Sequence, residues 1–133
     1  LFIDSIGSLK HLDVLYLDQN SCLDWGSGIF QAIARSEHLR ELHMSACGLL
    51  SETVEPLCCL ISSLGDLESL HIDFNGFGRQ VSTLIEPLAR APLLQTVHID
   101  LGHLSPGEFQ SFGTALGSKL VAHTSYFQNF RHG

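Results

Sequence analysis

Leucines 12, 39, 67 and 94 stand at intervals of 27, 28 and 27 residues, and each opens the same eleven-residue pattern. In the third copy, Leu67, Leu70, Ile72, Asn75 and Phe77 fill positions one, four, six, nine and eleven. The fourth position reads Leu15, Leu42, Leu70 and Val97, the sixth Leu17, Met44, Ile72 and Ile99, and the eleventh Cys22, Leu49, Phe77 and Leu104, all apolar. The ninth reads Asn20, Cys47, Asn75 and Gly102, so three copies carry a side chain able to satisfy backbone groups where the chain turns. A unit this small buries its apolar face only by stacking on its neighbours, so the chain is an array.

Between these patterns lie the pairs Phe30/Ile33, Leu57/Leu60, Ile85/Leu88 and Phe112/Leu116, spaced to share one helical face. Pro56 and Pro87 fall near or within two of these segments, which predicts short or late-starting second and third helices. The repeats divide the chain into a partial unit at 1–11, full units at 12–38, 39–66, 67–93 and 94–120, and a degenerate unit at 121–133. Ile3 and Ile6 repeat the spacing of Phe30 and Ile33, and counting one period from Leu94 puts Val121 at a first position, with Thr124 in an apolar place and Asn129 in the ninth. A start inside a repeat and without methionine leads to the expectation of a monomeric domain within a longer protein.

With 44% hydrophobic and 16% charged residues the chain has the means to bury a core. Fourteen acids against 7 bases, net -7, argue against nucleic acid and for a basic or neutral partner. Cys22, Cys47, Cys58 and Cys59 form no C-x-x-C pair and are read as reduced thiols. No signal-like start and no apolar run longer than Leu57 to Ile61 is present, so the expected setting is cytoplasmic, away from membranes.

The period and the helical segment in each repeat resemble the ribonuclease-inhibitor-like class of leucine-rich repeats over nearly the whole chain. The resemblance implies an α/β fold, a curved right-handed solenoid with a parallel sheet on the concave side and helices on the convex side. It also implies that partners meet the concave face. The class spans inhibitors, immune sensors, small-GTPase activators, actin-filament cappers and ubiquitin-ligase adaptors, so it specifies fold more than function.

Strand alternation sends positions four and six inward and three, five and seven outward. The fifth column is then Tyr16, His43, His71 and His98, and the seventh Asp18, Ser45, Asp73 and Asp100. With Asp13, Arg40, Glu41 and Glu68 from the second and third columns, the face holds six acids and one base. Phe74 and Leu101 in the eighth column are read as a hydrophobic anchor. The plainer explanation of the histidine column is that related repeats repeat themselves. The functional one is a strip that recognises a basic segment and weakens as imidazoles protonate. A zinc or copper site needs three rings converging on one ion, which three successive strands do not readily supply, so neither metal nor cofactor is expected.

Trp25 in its glycine-rich loop and the Cys58–Cys59 pair are read as packing, and Gly26-Ser27-Gly28 lacks the lysine of a phosphate loop. Ser69 or Thr96 beside His71 or His98 would be a nucleophile on an open sheet without oxyanion donors, so no enzyme is expected. The leading reading is a non-catalytic protein-interaction module or adaptor. The alternative is a contact regulator of an enzyme such as a small GTPase, or a substrate adaptor of a ubiquitin ligase.

Overall fold

The computed structural model describes residues 10–21 and 28–123, with Ser5 and Ser8. Of the partial unit at 1–11 only Ser5, Ser8, Lys10 and His11 are among these residues, and Cys22, Trp25 and the stretch from Thr124 to Asn129 lie outside them. Five strands, β1 Val14–Tyr16, β2 Glu41–His43, β3 Ser69–His71, β4 Thr96–Asp100 and β5 Leu120–His123, form one parallel sheet in chain order. Between them run α1 Gly28–Ala34, α2 Val54–Ser63, α3 Ile85–Arg90 and α4 Pro106–Leu116. The fold is the expected α/β repeat solenoid.

The register pairs like positions: Leu15 with Leu42, Leu42 with Leu70, and Leu70 with Val97. The second-position carbonyls of the first three repeats each accept two N–H groups from the next repeat, Asp13 O from Arg40 and Glu41, Arg40 O from Glu68 and Ser69, and Glu68 O from Gln95 and Thr96. Positions four and six of the repeats that carry β2, β3 and β4 fall at or below 1% exposure and pack against Phe30, Ile33, Leu57, Leu60, Leu88, Phe112 and Leu116 of the helices. Each full turn of the array thus covers its neighbour's apolar face.

Proline placement shapes the helices as expected. Pro56 and Pro87 are the third residues of α2 and α3, where no intrahelical N–H bond is lost, and 3-10 segments at Ser51–Thr53 and Gly78–Leu84 lead into them. In α4, Pro106 follows a capping box in which Ser105 Oγ accepts the Glu108 N–H at 3.3 Å and Glu108 Oε1 accepts the Ser105 N–H at 3.1 Å. No helix among the described residues is long and apolar enough to cross a membrane.

The turns leaving β1, β2 and β3 are held by ninth-position side chains. Asn75 Nδ2 donates to Met44 O, Ile72 O and Asp73 O at 2.9, 3.0 and 3.3 Å, and its Oδ1 accepts the N–H groups of Cys47 and Leu49 at 3.0 and 3.1 Å. Cys47 Sγ donates to Leu17 O at 3.0 Å, the carbonyl that corresponds to Met44 O one repeat earlier. Among the described residues Asn20 bonds within its own turn, to Leu17 O and Asp18 O.

The fifth strand departs from the expected count. Leu120, rather than Thr124, stands opposite Val97, so Val121 occupies a fifth-position site beside His98 instead of a first position. The reason is local: α4 passes through a 3-10 turn at Gly117–Lys119 directly into β5, and Gly117 takes the left-handed conformation, φ 56°, that permits the tight exit.

Two stability outcomes follow. Asn75→Ala strips five bonds from half-buried backbone groups and should cost about 3 kcal/mol in urea unfolding, whereas Asn20→Ala, with two local bonds, should cost about 1 kcal/mol. Ser105→Ala, which removes the α4 cap, should cost ~1 kcal/mol by the same measurement.

Candidate interaction face

Parallel pairing brings Tyr16, His43, His71 and His98 into one row across four strands. The side chains stack into a continuous column. Ring centroids are 4.3 Å apart from Tyr16 to His43, 4.0 Å from His43 to His71 and 4.0 Å from His71 to His98, with interplanar angles of 31°, 18° and 11°. Tyr16 is 66% exposed at the end of the row, and the histidines are half-buried.

The column's polar edges are engaged. His43 Nε2 lies 3.3 Å from Glu41 Oε1, and its Nδ1 lies 4.0 Å from Asp18 Oδ2. Ser69 Oγ lies 3.2 Å from His71 Nε2. Burial, then the charges that His43 and His98 would carry, hold the His71 imidazole below the ordinary histidine range, with Asp73 and Asp18 partly offsetting them. Stacked parallel rings aim their nitrogens side by side rather than at a common point. Among the described residues no group of three His, Cys, Asp or Glu is placed to hold a metal ion.

The seventh-column acids serve the scaffold as well as the surface. Asp18 Oδ1 accepts the Ser45 N–H at 2.7 Å, Asp73 accepts the Ser45 hydroxyl, and Asp100 Oδ2 accepts the Phe74 N–H. Two expectations are corrected here. Asp73 is buried rather than presented to solvent, because Ser45 on the neighbouring strand draws its carboxylate into the sheet. Leu101 is also buried, at 1% exposure, and contributes no anchor. Gln19, Ala46 and Phe74 step into left-handed backbone at this eighth position, with φ of 62°, 54° and 59°; β4 instead stays paired with β5 through Asp100, and Leu101 packs into the core. Phe74 remains 55% exposed.

Arg40, the one base on the face, is neutralised in place. It makes two hydrogen bonds to the Asp13 carboxylate, with Glu68 at 3.9 Å on its other side. The Arg40 hydrogen bond holds the Asp13 carboxyl below the usual carboxylate range. Tyr16, His43, His71, His98, Asp18 and Glu41 therefore form one cluster, Asp13, Arg40 and Glu68 a second, and Phe74 and Asp100 a third at the carboxyl ends of β3 and β4.

The spacing pattern does not reveal Ser45, which bridges two repeats by giving its N–H to Asp18 and its hydroxyl to Asp73; the visible signal is a serine in a column of aspartates. It also passes over His103, which with Phe74, Phe77, Val81 and Leu104 lines a groove of about 410 Å³. The signal there is Gly102, the one ninth-position residue without a side chain.

No family model and no curated protein matches the sequence. Four solved chains match in structure, among them the tropomodulin C-terminal domain of Caenorhabditis elegans, at a TM-score of 0.58 and 12% identity over 99% of this chain and 98% of that one. The expected placement in the ribonuclease-inhibitor-like class is thereby corrected. The period and apolar spacing specify a strand, a turn and a helix, and sequences of other lineages meet that requirement as well. The comparisons establish the leucine-rich-repeat fold and no sequence family.

Proposed function

We propose that this chain is a non-catalytic protein-interaction module, an adaptor acting as a monomer, whose strand face binds a basic segment of a partner protein. The observation that carries this reading is the ring column, from Tyr16 to His98, flanked by the carboxylates of Asp18 and Glu41. Rings already stacked in the free protein lose little rotamer freedom on binding, and the half-exposed acids beside them favour a cationic segment. Ser69 Oγ and His71 Nε2 lie 3.2 Å apart on this row, and the Ser69 N–H is given to Arg40 O, which supports binding over catalysis. Free thiols at Cys58 and Cys59 support a cytoplasmic setting.

Affinity capture with the intact chain beside a Tyr16→Ala/His71→Ala variant of verified fold tests this reading. One partner should be lost from the variant, its affinity down about tenfold, as for truncation of aromatic anchors. Identical captures would sink the assignment of the face.

Acid should weaken binding several-fold between roughly pH 7.5 and 5.5, as protonated imidazoles repel the basic segment. The stability consequence has a definite sign. His71 in the folded chain lies below its ordinary value of 6.5, so the unfolded chain binds its proton more readily. The neutral ring's contribution is intact above pH 6.5 and is lost as the pH falls from there towards the lowered folded value. The urea midpoint should therefore drop across this interval, and His71→Gln should flatten the drop. His38, raised by Asp66, shifts stability in the opposite sense, but equally in both proteins.

A further inference from the structure

The groove at the carboxyl ends of β3 and β4 exists where the repeat rule fails. Asn75 fills its own turn with five hydrogen bonds, while the fourth repeat puts Gly102 in the same place and leaves that space to the groove. Phe74, Phe77, Val81 and Leu104 give it apolar walls, and the polar side chains on its lining include Asp100 and His103. Its volume, about 410 Å³, is in the range of sites that receive a ligand group. Phe74 is bulky, left-handed at φ 59° and 55% exposed, and its N–H is fastened to Asp100, so the aromatic wall and the carboxylate are one unit. Both residues lie at the carboxyl ends of the strands that carry His71 and His98, so the groove opens beyond that end of the ring column.

The geometry points to this groove as the seat of a lysine or arginine side chain of the partner, its alkyl stem along Phe74, Phe77 and Leu104 and its cationic head at Asp100. The inference rests on the reading of the strand face as a protein-binding surface and names the place where that surface takes a basic residue. Charge selects the occupant. The groove's one carboxylate lies at its strand side, the one base on the neighbouring strand face is already paired, and an exposed ring attracts a cation passing over it. Arg79 lies in a neighbouring hollow shared with Gly78 and His103, with Glu108 near enough to feel its charge, so Asp100 is the carboxylate that the groove itself presents.

The test uses the purified chain and n-pentylammonium as a side-chain mimic, followed by amide NMR. The Phe74, Gly102 and His103 amides should shift saturably, with affinity about fivefold above that of the neutral isostere 1-pentanol and with no saturable response to pentanoate. Asp100→Asn keeps an acceptor for the Phe74 N–H while removing the charge, and should reduce pentylammonium to the level of pentanol. Phe74→Ala, with spectra showing retained fold, should weaken both probes. Equal affinity for pentylammonium and pentanol, preference for pentanoate, no saturable shift, or amide shifts that track protein concentration without a probe, as a second copy in the groove would give, would each overturn the proposal. Because no captured partner is involved, such a failure leaves the ring-column reading to stand or fall by its own experiment.

Discussion

The turn that follows each strand fixes how far one repeat is displaced from the next, and the arrangement of the face depends on that displacement. Asn75 reaches back to Met44 O while accepting N–H groups from Cys47 and Leu49, so one amide side chain joins two repeats at once. Cys47 makes a weaker version of the same reach to Leu17 O. With this spacing held, the double use of the second-position carbonyls of the first three repeats keeps the strands in register, and side chains one period apart meet face to face.

Stacking of His43, His71 and His98 is a consequence of that register more than of any affinity between imidazoles. Parallel strands roughly 4.8 Å apart leave rings on equivalent positions little choice but to pack, and a modest lean brings the centroids to 4.0 Å. The cost falls on protonation. A charge on His71 meets its neighbours' charges and a half-buried site together, while Asp18 and Glu41 stand nearer to His43. His43 in particular has carboxylate oxygens of Glu41 and Asp18 at 3.3 and 4.0 Å.

What could be read from residues alone follows the same division. Inward positions such as Leu42, Leu70 and Val97 are legible because alternation along a strand and a fixed period both demand apolar residues there. Pro56 and Pro87 likewise announce where helices begin. Asp73 and Leu101 were misread because alternation gives a direction and says nothing of partners. Ser45 turns the Asp73 carboxylate inward, and continued pairing of β4 with β5 removes the turn that exposes Phe74 one repeat earlier. The fifth strand's count failed for a related reason: a period measured on complete repeats holds only while each helix and its exit keep the same length, and Gly117 shortens the last one.

These departures concentrate in the fourth repeat, and their grouping is itself informative. A repeat that keeps Val97 and Ile99 in the core retains its place in the stack whatever happens beyond Asp100. Loss of the ninth-position side chain at Gly102 leaves the hydrogen-bonding task to backbone and neighbouring groups, a cost that the pairing of β4 through Asp100 to His123 offsets with added ladder bonds. The same change opens space beside an exposed aromatic ring and a carboxylate. In an otherwise regular array, local rules are most often broken where a surface is shaped for contact, and the break here lies beyond the carboxyl ends of the strands that carry His71 and His98.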